Sequence, residues 1–214
     1  MVTPAYNSIV RTNLATASPL AQVVALANAK GVLRPRDLAE AGLSRDYLWR
    51  LHRSGALERL ERGIYALPTK DATENRGLMM AATRVPKGVV CLLSALRFHG
   101  ITTQSPHEVW LAVERGSRLP RGGYPPIRPF AFAPAVFNAG IEERPVEGSI
   151  VRVYSPAKTV ADCFRYRNKI GPDVALEALR ECWRQRLASI EDIYRYAGIC
   201  RVANVIRPYL ESLL

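Results

Sequence analysis

The amino-acid sequence predicts an α+β fold with two successive domains. In the first, helical patterns of apolar residues lead into a pair of short strand patterns. In the second, short helical patterns precede a set of strand patterns, and further helical patterns fill the C-terminal end. A polar stretch that contains a proline, PTKDATENRG, separates the two. We therefore expect a flexible arm at residues 1–17, a helix-and-hairpin domain at residues 18–70 and a mixed α/β domain at residues 71–214.

The first two helices are predicted from their starts and their apolar spacing. Ser18-Pro19 combines a capping residue with a proline in the first turn, and apolar residues then recur at the spacing of one helix face. These residues are Leu20, Val23, Val24 and Ala27. A second helix is expected to begin at Pro35, to bury Leu38 and Ala39, and to end at Gly42.

A third helix is predicted in SRDYLWRLHRSG, residues 44–55. Ser44 stands where an N-cap belongs, and Gly55 stands where a helix ends. Leu48 and Leu51 lie three residues apart and form a narrow apolar stripe. The arginines of the segment are therefore expected to face solvent.

The order helix, helix, turn, helix, hairpin is typical of a winged helix-turn-helix. The hairpin is predicted from two apolar pairs, Leu57/Leu60 and Ile64/Tyr65, on either side of Arg62-Gly63. In such a domain the third helix enters the major groove of DNA and the hairpin lies along phosphates. A domain that contacts protein is the alternative, because acidic residues dilute the positive face; these are Asp46, Glu58 and Glu61.

Arginines supply the predicted contacts to double-stranded DNA. Arg45 and Arg50 are expected to reach base edges, since a guanidinium can bind guanine through two hydrogen bonds. Other arginines are better placed for phosphates. The full set of predicted DNA-binding residues is Ser44, Arg45, Tyr47, Trp49, Arg50, Arg53, Arg59 and Arg62.

The second domain contains three strand patterns, EVWLAV (108–113), PFAFA (129–133) and SIVRVY (149–154). A Gly/Pro-rich loop separates the first two, and a loop of that length is usually functional or disordered. It carries a second basic patch, which consists of Arg115, Arg118, Arg121 and Arg128. This patch is expected to bind a polyanion such as flanking DNA or RNA, with a merely solvated loop as the alternative.

Helices make up the rest of the second domain. CLLSALRFHG is expected to form a short helix in which Ser94 and His99 lie five residues apart, a spacing that makes only a weak nucleophile–base pair. Another helix starts at Ser155-Pro156, and its Lys158 and Asp162 have the spacing of a surface ion pair. The last helix should be kinked at Pro208.

Composition narrows the class of protein. The chain of 214 residues has a formal net charge of +11, which favours a polyanionic partner. The four cysteines form no CxxC pair and the three histidines are scattered, so no metal site is expected. No catalytic residue, cofactor motif or phosphate-binding glycine loop is recognised, and we do not expect an enzyme.

The absence of a signal-peptide pattern and of a long apolar run predicts a cytoplasmic protein with no membrane partner.

Three segments resemble those of a known family. They are LERGIY at 60–65, LLSALRFHGIT at 92–102 and VYSPAKTVADCFRYRNKIGPDVALEALRE at 153–181. Together they resemble the AbiEi family, the antitoxins of the AbiE abortive-infection systems, which are type IV toxin–antitoxin systems. The resemblance covers nearly the whole chain beyond the first seventeen residues.

Membership of this family implies two activities. The winged helix would repress the protein's own operon by binding inverted repeats, and the C-terminal domain would counter a nucleotidyltransferase-like toxin in a phage-defence system. Whether the toxin is bound directly is left open. Two other functions are alternatives: an enzyme whose C-terminal domain modifies the toxin or a nucleotide, and a transcriptional repressor that senses a small ligand.

Overall fold

The computed structural model describes residues 18–68, 74–120, 122–146 and 149–213. The predicted arm at residues 1–17, the predicted domain boundary at residue 70 and Arg121 lie outside the described residues. Helices and two sheets are combined in the chain, and the predicted α+β class is confirmed. The described residues divide into two compact units: unit 1 contains 18–68 and Ser149, and unit 2 contains 74–146 and 150–213.

The described part of unit 1 contains three helices and a small antiparallel sheet. Its elements are α1 (Pro19–Lys30), β1 (Val32–Leu33), α2 (Pro35–Glu40), α3 (Asp46–Arg53), β2 (Glu58–Glu61) and β3 (Ile64–Ala66). Strand β3 lies in the middle of the sheet, with β1 on one side and β2 on the other. Strand β1 is absent from the sequence-based expectations because two residues are too few to show an alternating pattern.

One apolar cluster holds unit 1 together. It contains Val23, Ala27, Leu33, Leu38, Leu48, Leu51 and Leu57. Ser18 caps α1 as predicted, since its Oγ accepts a hydrogen bond from the Ala21 N–H at 3.3 Å. Helix α2 differs from the prediction: Ala39 is exposed, and the buried neighbour of Leu38 is Asp37.

Unit 2 is built on a five-stranded sheet. Its strands are β4 (Val89–Val90), β5 (Val109–Glu114), β6 (Ile127–Phe132), β7 (Ile141–Val146) and β8 (Ser149–Tyr154), arranged in the order β6-β5-β4-β8-β7. Strand β4 pairs antiparallel with β5 and parallel with β8, and β5 pairs parallel with β6. The three predicted strands are β5, β6 and β8, whereas β4 and β7 were not expected.

Helices precede, join and follow these strands. They are α4 (Glu74–Arg84), α5 (Leu92–Phe98), α6 (Pro134–Phe137), α7 (Pro156–Arg165), α8 (Arg167–Ile170), α9 (Pro172–Arg184), α10 (Ile190–Ile199) and α11 (Ala203–Glu211). Strand β5 is buried on both faces: Val109, Leu111 and Val113 belong to one core cluster, and Trp110 and Ala112 belong to the other. The sheet therefore has an apolar layer on each side.

The predicted surface ion pair between Lys158 and Asp162 is in fact buried. Both side chains are fully inaccessible to solvent, and the Lys158 Nζ lies 2.6 Å from the Asp162 Oδ2. The prediction was wrong because residues 157–164 of α7 are buried without interruption, so this helix has no polar outer face over that stretch.

Candidate nucleic-acid interface

Helix α3 presents a polar face because two leucines fix its orientation. Leu48 is 2% exposed and Leu51 is 6% exposed, as their spacing predicts. The helix is shorter than predicted: it begins at Asp46, and Ser44 lies before it with its Oγ accepting a hydrogen bond from the Asp46 N–H at 3.3 Å. Gly55 follows the helix with a φ of +78°, a conformation that glycine adopts without strain.

Aromatic rings and guanidinium groups alternate on the outer face of α3. The Arg53 guanidinium carbon lies 5.2 Å from the centroid of the Trp49 ring, and that of Arg50 lies 5.9 Å from the centroid of Tyr47. Trp49 is 58% exposed, which is unusual for so large an apolar side chain. Arg45 is exposed at the residue that precedes the helix. Cation–π contacts hold Arg50 and Arg53 near their aromatic neighbours and leave their charge at the surface.

The hairpin formed by β2 and β3 carries the two remaining predicted arginines. Its turn contains Arg62 and Gly63, and Gly63 has a φ of +79°. Arg59 and Arg62 are both exposed. The Arg59 Nε donates to the backbone carbonyl oxygen of Glu61 at 3.3 Å, which holds the Arg59 side chain along the hairpin.

A buried carboxylate joins α1 to α2 and was missed in the sequence. Asp37 accepts hydrogen bonds from the Lys30 Nζ at 2.9 Å and from the Arg34 N–H at 2.7 Å. Burial by itself would raise the pKa of Asp37, but these hydrogen bonds and the positive charges of Lys30 and Arg34 together outweigh that effect, and the pKa is lowered. A turn and a strand separate Lys30 from Asp37, so the two residues do not belong to one helical or strand repeat. Sequence periodicity therefore could not reveal the pair.

The described arginines of the second basic patch, Arg115, Arg118 and Arg128, do not converge on one point. In the parallel pair of β5 and β6, Arg128 lies opposite Trp110, whereas Arg115 follows the other end of β5. At about 3.3 Å per residue these positions are about 16 Å apart along the strands. The Arg128 guanidinium carbon lies 4.6 Å from the centroid of Trp110. Arg118 instead lines a cleft with other residues of unit 2. Whether Arg115 and Arg128 contact a polyanion stays a prediction.

Ser94 and His99 each have a structural partner. The Ser94 Oγ accepts a hydrogen bond from the Trp110 N–H at 2.9 Å, and the His99 Nε2 lies 2.8 Å from the Tyr154 carbonyl oxygen. Burial lowers the pKa of His99. Both side chains therefore connect α5 and its C-terminal end to the sheet.

The four cysteines are free thiols, and all are buried. In the part of the chain that the structure describes, no group of three or more histidine, cysteine or acidic side chains could hold a metal ion. Across the described ranges, no helix has the length and apolar character needed to cross a membrane.

Residues 21–68 match a family model described as a transcriptional regulator, AbiEi antitoxin. This segment runs from within α1 to just beyond β3 and includes every predicted DNA-binding residue. The class that this N-terminal unit defines is therefore that of a transcriptional regulator. The match over this segment agrees with the resemblance to the AbiEi antitoxins found in the sequence.

Among solved structures, the chain is similar to the RV2827C protein from Mycobacterium tuberculosis. The two share 16% sequence identity with a TM-score of 0.58, over 91% of this chain and 78% of that one. At this identity the similarity shows a shared fold. No curated protein matches the chain.

Proposed function

We propose that the protein is a DNA-binding antitoxin that represses its own toxin–antitoxin operon. Unit 1 acts as a winged helix-turn-helix, in which α3 enters the major groove and the β2–β3 hairpin is the wing along the phosphates. The observation that carries this proposal is the outer face of α3, where Arg45, Arg50 and Arg53 are exposed together with Trp49. The AbiEi match over residues 21–68 supports it.

The two ends of α3 have different tasks in this proposal. Residues near the start of a recognition helix contact base edges most readily, so Arg45 is expected to read sequence. Asp46 lies beside it in the first turn, where a carboxylate stabilises the helix N-terminus and repels phosphate. Arg53 lies in the last turn and is better suited to a phosphate contact.

The second part of the proposed function, which is to counter the toxin, is assigned to unit 2. We propose that unit 2 counters a nucleotidyltransferase-like toxin encoded beside the gene, in the cytoplasm and as part of a phage-defence system. The support for this half is the family resemblance, which extends through residues 153–181 of unit 2.

DNA binding is tested with the promoter fragment upstream of the gene, in a gel-shift titration of the full-length chain. Arg45→Ala and Arg50→Ala should each weaken binding to the inverted repeat by about 1–3 kcal/mol and relax the base preference at one position. Arg180→Ala, which removes one exposed charge from α9 in unit 2, is the matched control and should leave affinity unchanged. Equal affinity of wild type, Arg45→Ala and Arg50→Ala would contradict the proposed role of α3.

The antitoxin half is tested separately by growth rescue. Cells that express the neighbouring nucleotidyltransferase-like gene should recover when this chain is co-expressed, and the Arg45→Ala variant should still rescue growth from a constitutive promoter. Mass spectrometry of the toxin after incubation with the chain and a nucleotide distinguishes a modifying enzyme from a protein that acts without covalent change.

A further inference from the structure

A basic cleft in unit 2 has no part in the proposed function. It has a volume of about 740 Å³, within the range of pockets that hold ligands of drug size. Its walls come from the turn between α4 and β4, the end of β5, the loop after β5, the end of α6 and one residue of β8. All of these lie in unit 2, and none is among the DNA-binding residues predicted in unit 1.

Positive charge predominates in the cleft. Arg84, Lys87, Arg118 and Arg152 line it, and Glu114 is the one carboxylate among its described lining residues. Four cations around one concave surface repel one another, and a concave site with low-dielectric walls concentrates their field. An anionic ligand would relieve this repulsion.

Two of the cations hold the walls in place. The Arg152 Nη1 donates to the Lys87 carbonyl oxygen at 3.0 Å, which ties β8 to the turn before β4. The Arg84 Nη1 donates to the Pro125 carbonyl oxygen at 2.7 Å, and its Nη2 donates to the carbonyl oxygen of Gly122. The loop after β5 is thereby attached to the end of α4, so the cleft exists before a ligand arrives.

The other two cations remain available to a ligand. Lys87 and Arg118 are both exposed, and within the described ranges neither side chain forms a hydrogen bond or an ion pair. They lie on different segments that the Arg84 and Arg152 contacts hold together. An ammonium and a guanidinium of this kind are typical ligands of phosphate oxygens.

The cleft also has an apolar wall, which inorganic phosphate alone would not need. It consists of Val85, Val113, Leu119 and Phe137. Asn138 lies next to this wall, and its Nδ2 donates to the Pro134 carbonyl oxygen at 3.0 Å. Its side-chain oxygen is left as an acceptor that can recognise the polar edge of a flat ring.

We propose that this cleft binds a nucleotide, with the phosphates against Lys87 and Arg118 and the base against the apolar wall near Asn138. The proposal does not depend on DNA binding by unit 1. The sequence predicted that Arg118 contacts a nucleic-acid backbone, whereas this proposal gives it a small phosphorylated ligand.

The test is calorimetric titration of the full-length chain with ADP, adenosine and pyrophosphate at physiological salt. ADP should bind more tightly than pyrophosphate, which carries as many phosphate groups but no base, and adenosine should show no binding. Lys87→Ala and Arg118→Ala should each weaken ADP binding about tenfold, because each removes a charge-assisted hydrogen bond. Arg180→Ala is the charge-matched control and should bind like wild type.

Further variants separate ligand contact from folding. Leu119→Ser should weaken ADP binding and leave pyrophosphate binding unchanged, and the double variant Lys87→Arg/Arg118→Lys should keep most of the ADP affinity. Near-ultraviolet circular dichroism and promoter binding should be unchanged in all of them. The proposal is overturned if wild type does not bind ADP, if pyrophosphate binds as tightly as ADP, or if Lys87→Ala/Arg118→Ala binds ADP like wild type.

Discussion

The Lys158 ammonium donates to both carboxylate oxygens of Asp162, at 2.7 and 2.6 Å, and neither side chain reaches solvent. The same ammonium lies 4.1 Å from the centroid of the Tyr154 ring, and the Cys200 thiol donates to Asp162 at 3.3 Å. Burial raises the pKa of Asp162, and the charge of Lys158 opposes that rise. Removing two charges from water is costly, so each of these residues is tolerated in the core because the other is present.

Replacing one member of the Lys158–Asp162 pair should lower the free energy of unfolding more than replacing both. Lys158→Met should lower the free energy of unfolding by about 3–5 kcal/mol, because it leaves the Asp162 carboxylate buried without a counter-charge. The double variant Lys158→Met/Asp162→Leu should be more stable than Lys158→Met alone. Urea unfolding measures both, with Trp49→Phe in every chain so that the tryptophan signal comes from Trp110 and Trp183 in unit 2.

The solvent-accessible pair Arg184–Glu181 supplies the control, since it joins residues one helical turn apart on α9. Arg184→Met should change stability little, as exposed ion pairs contribute little. If the effects of Lys158→Met and Asp162→Leu simply add in the double variant, the two side chains are not coupled as described.

Gly140 should not tolerate a side chain. Its φ is +73°, and an added Cβ would lie 2.7 Å from the Lys158 Cβ and 3.0 Å from the Tyr196 Cε1. Gly140→Ala should therefore destabilise unit 2 by at least about 2 kcal/mol, through backbone strain and overpacking together. Gly100→Ala is the matched control, because Gly100 has a φ of +67° but open space around it, and the same urea titration should show a smaller loss.

Asp37 should make the stability of unit 1 depend on pH. Its pKa in the folded chain lies below its usual value of 3.8, so its ionised form stabilises the fold fully above that value. This contribution is lost as the pH falls through the folded-state pKa. Asp37→Asn should therefore unfold at a lower temperature than wild type at pH 7, and the difference should shrink as the pH falls below 3.8.

Scanning calorimetry of the full-length chain measures this difference between pH 3 and 7. Glu40→Gln is the control, because Glu40 also approaches Lys30, at 3.8 Å, but its side chain is 69% exposed. A difference between wild type and Asp37→Asn that stays constant down to the lowest pH would show that the ionised carboxylate is not the source.

The hairpin arginines should affect the salt dependence of DNA binding more than its specificity. If Arg62 contacts a phosphate, Arg62→Ala should reduce the slope of log affinity against log salt by about 0.9, and Arg59→Ala by a similar amount. Because a phosphate carries no sequence information, the loss should be alike on the promoter and on unrelated DNA. Fluorescence anisotropy over a salt series measures both slopes, and an unchanged slope in both variants would exclude the hairpin from the interface.

Periodic apolar residues account for most of what the sequence could predict in unit 1. The leucines of α3 repeat at helical spacing, and their burial sets which arginines are exposed. Asp37 was missed for two reasons. Its partner Lys30 lies on another helix, whose position is a tertiary property, and the residue three positions before Asp37 is Arg34, not the serine or threonine that signals a capping box.

Unit 2 was harder to predict because its helices and its sheet bury each other, so the spacing of polar residues does not reveal which of them are exposed. Apolar and polar residues alternate irregularly in α7, so the spacing of Lys158 and Asp162 suggested a surface pair although residues 157–164 are all buried. The cleft was missed for a different reason: its lining residues come from five segments spread over residues 84–152. The four loop arginines look like one cluster in the sequence, but parallel pairing places the ends of their loop at opposite ends of β5 and β6.

Parallel pairing also obliges the chain after β5 to return along the strands before β6 can begin. Each strand has six residues, so the return distance is about 20 Å. The connecting segment, residues 115–126, could extend over about 40 Å, twice what the return requires. Insertions or deletions of a few residues can therefore be absorbed there without altering the register of the sheet. Since part of this segment is a wall of the cleft, relatives of this protein can diverge in what the cleft accepts while keeping the same scaffold.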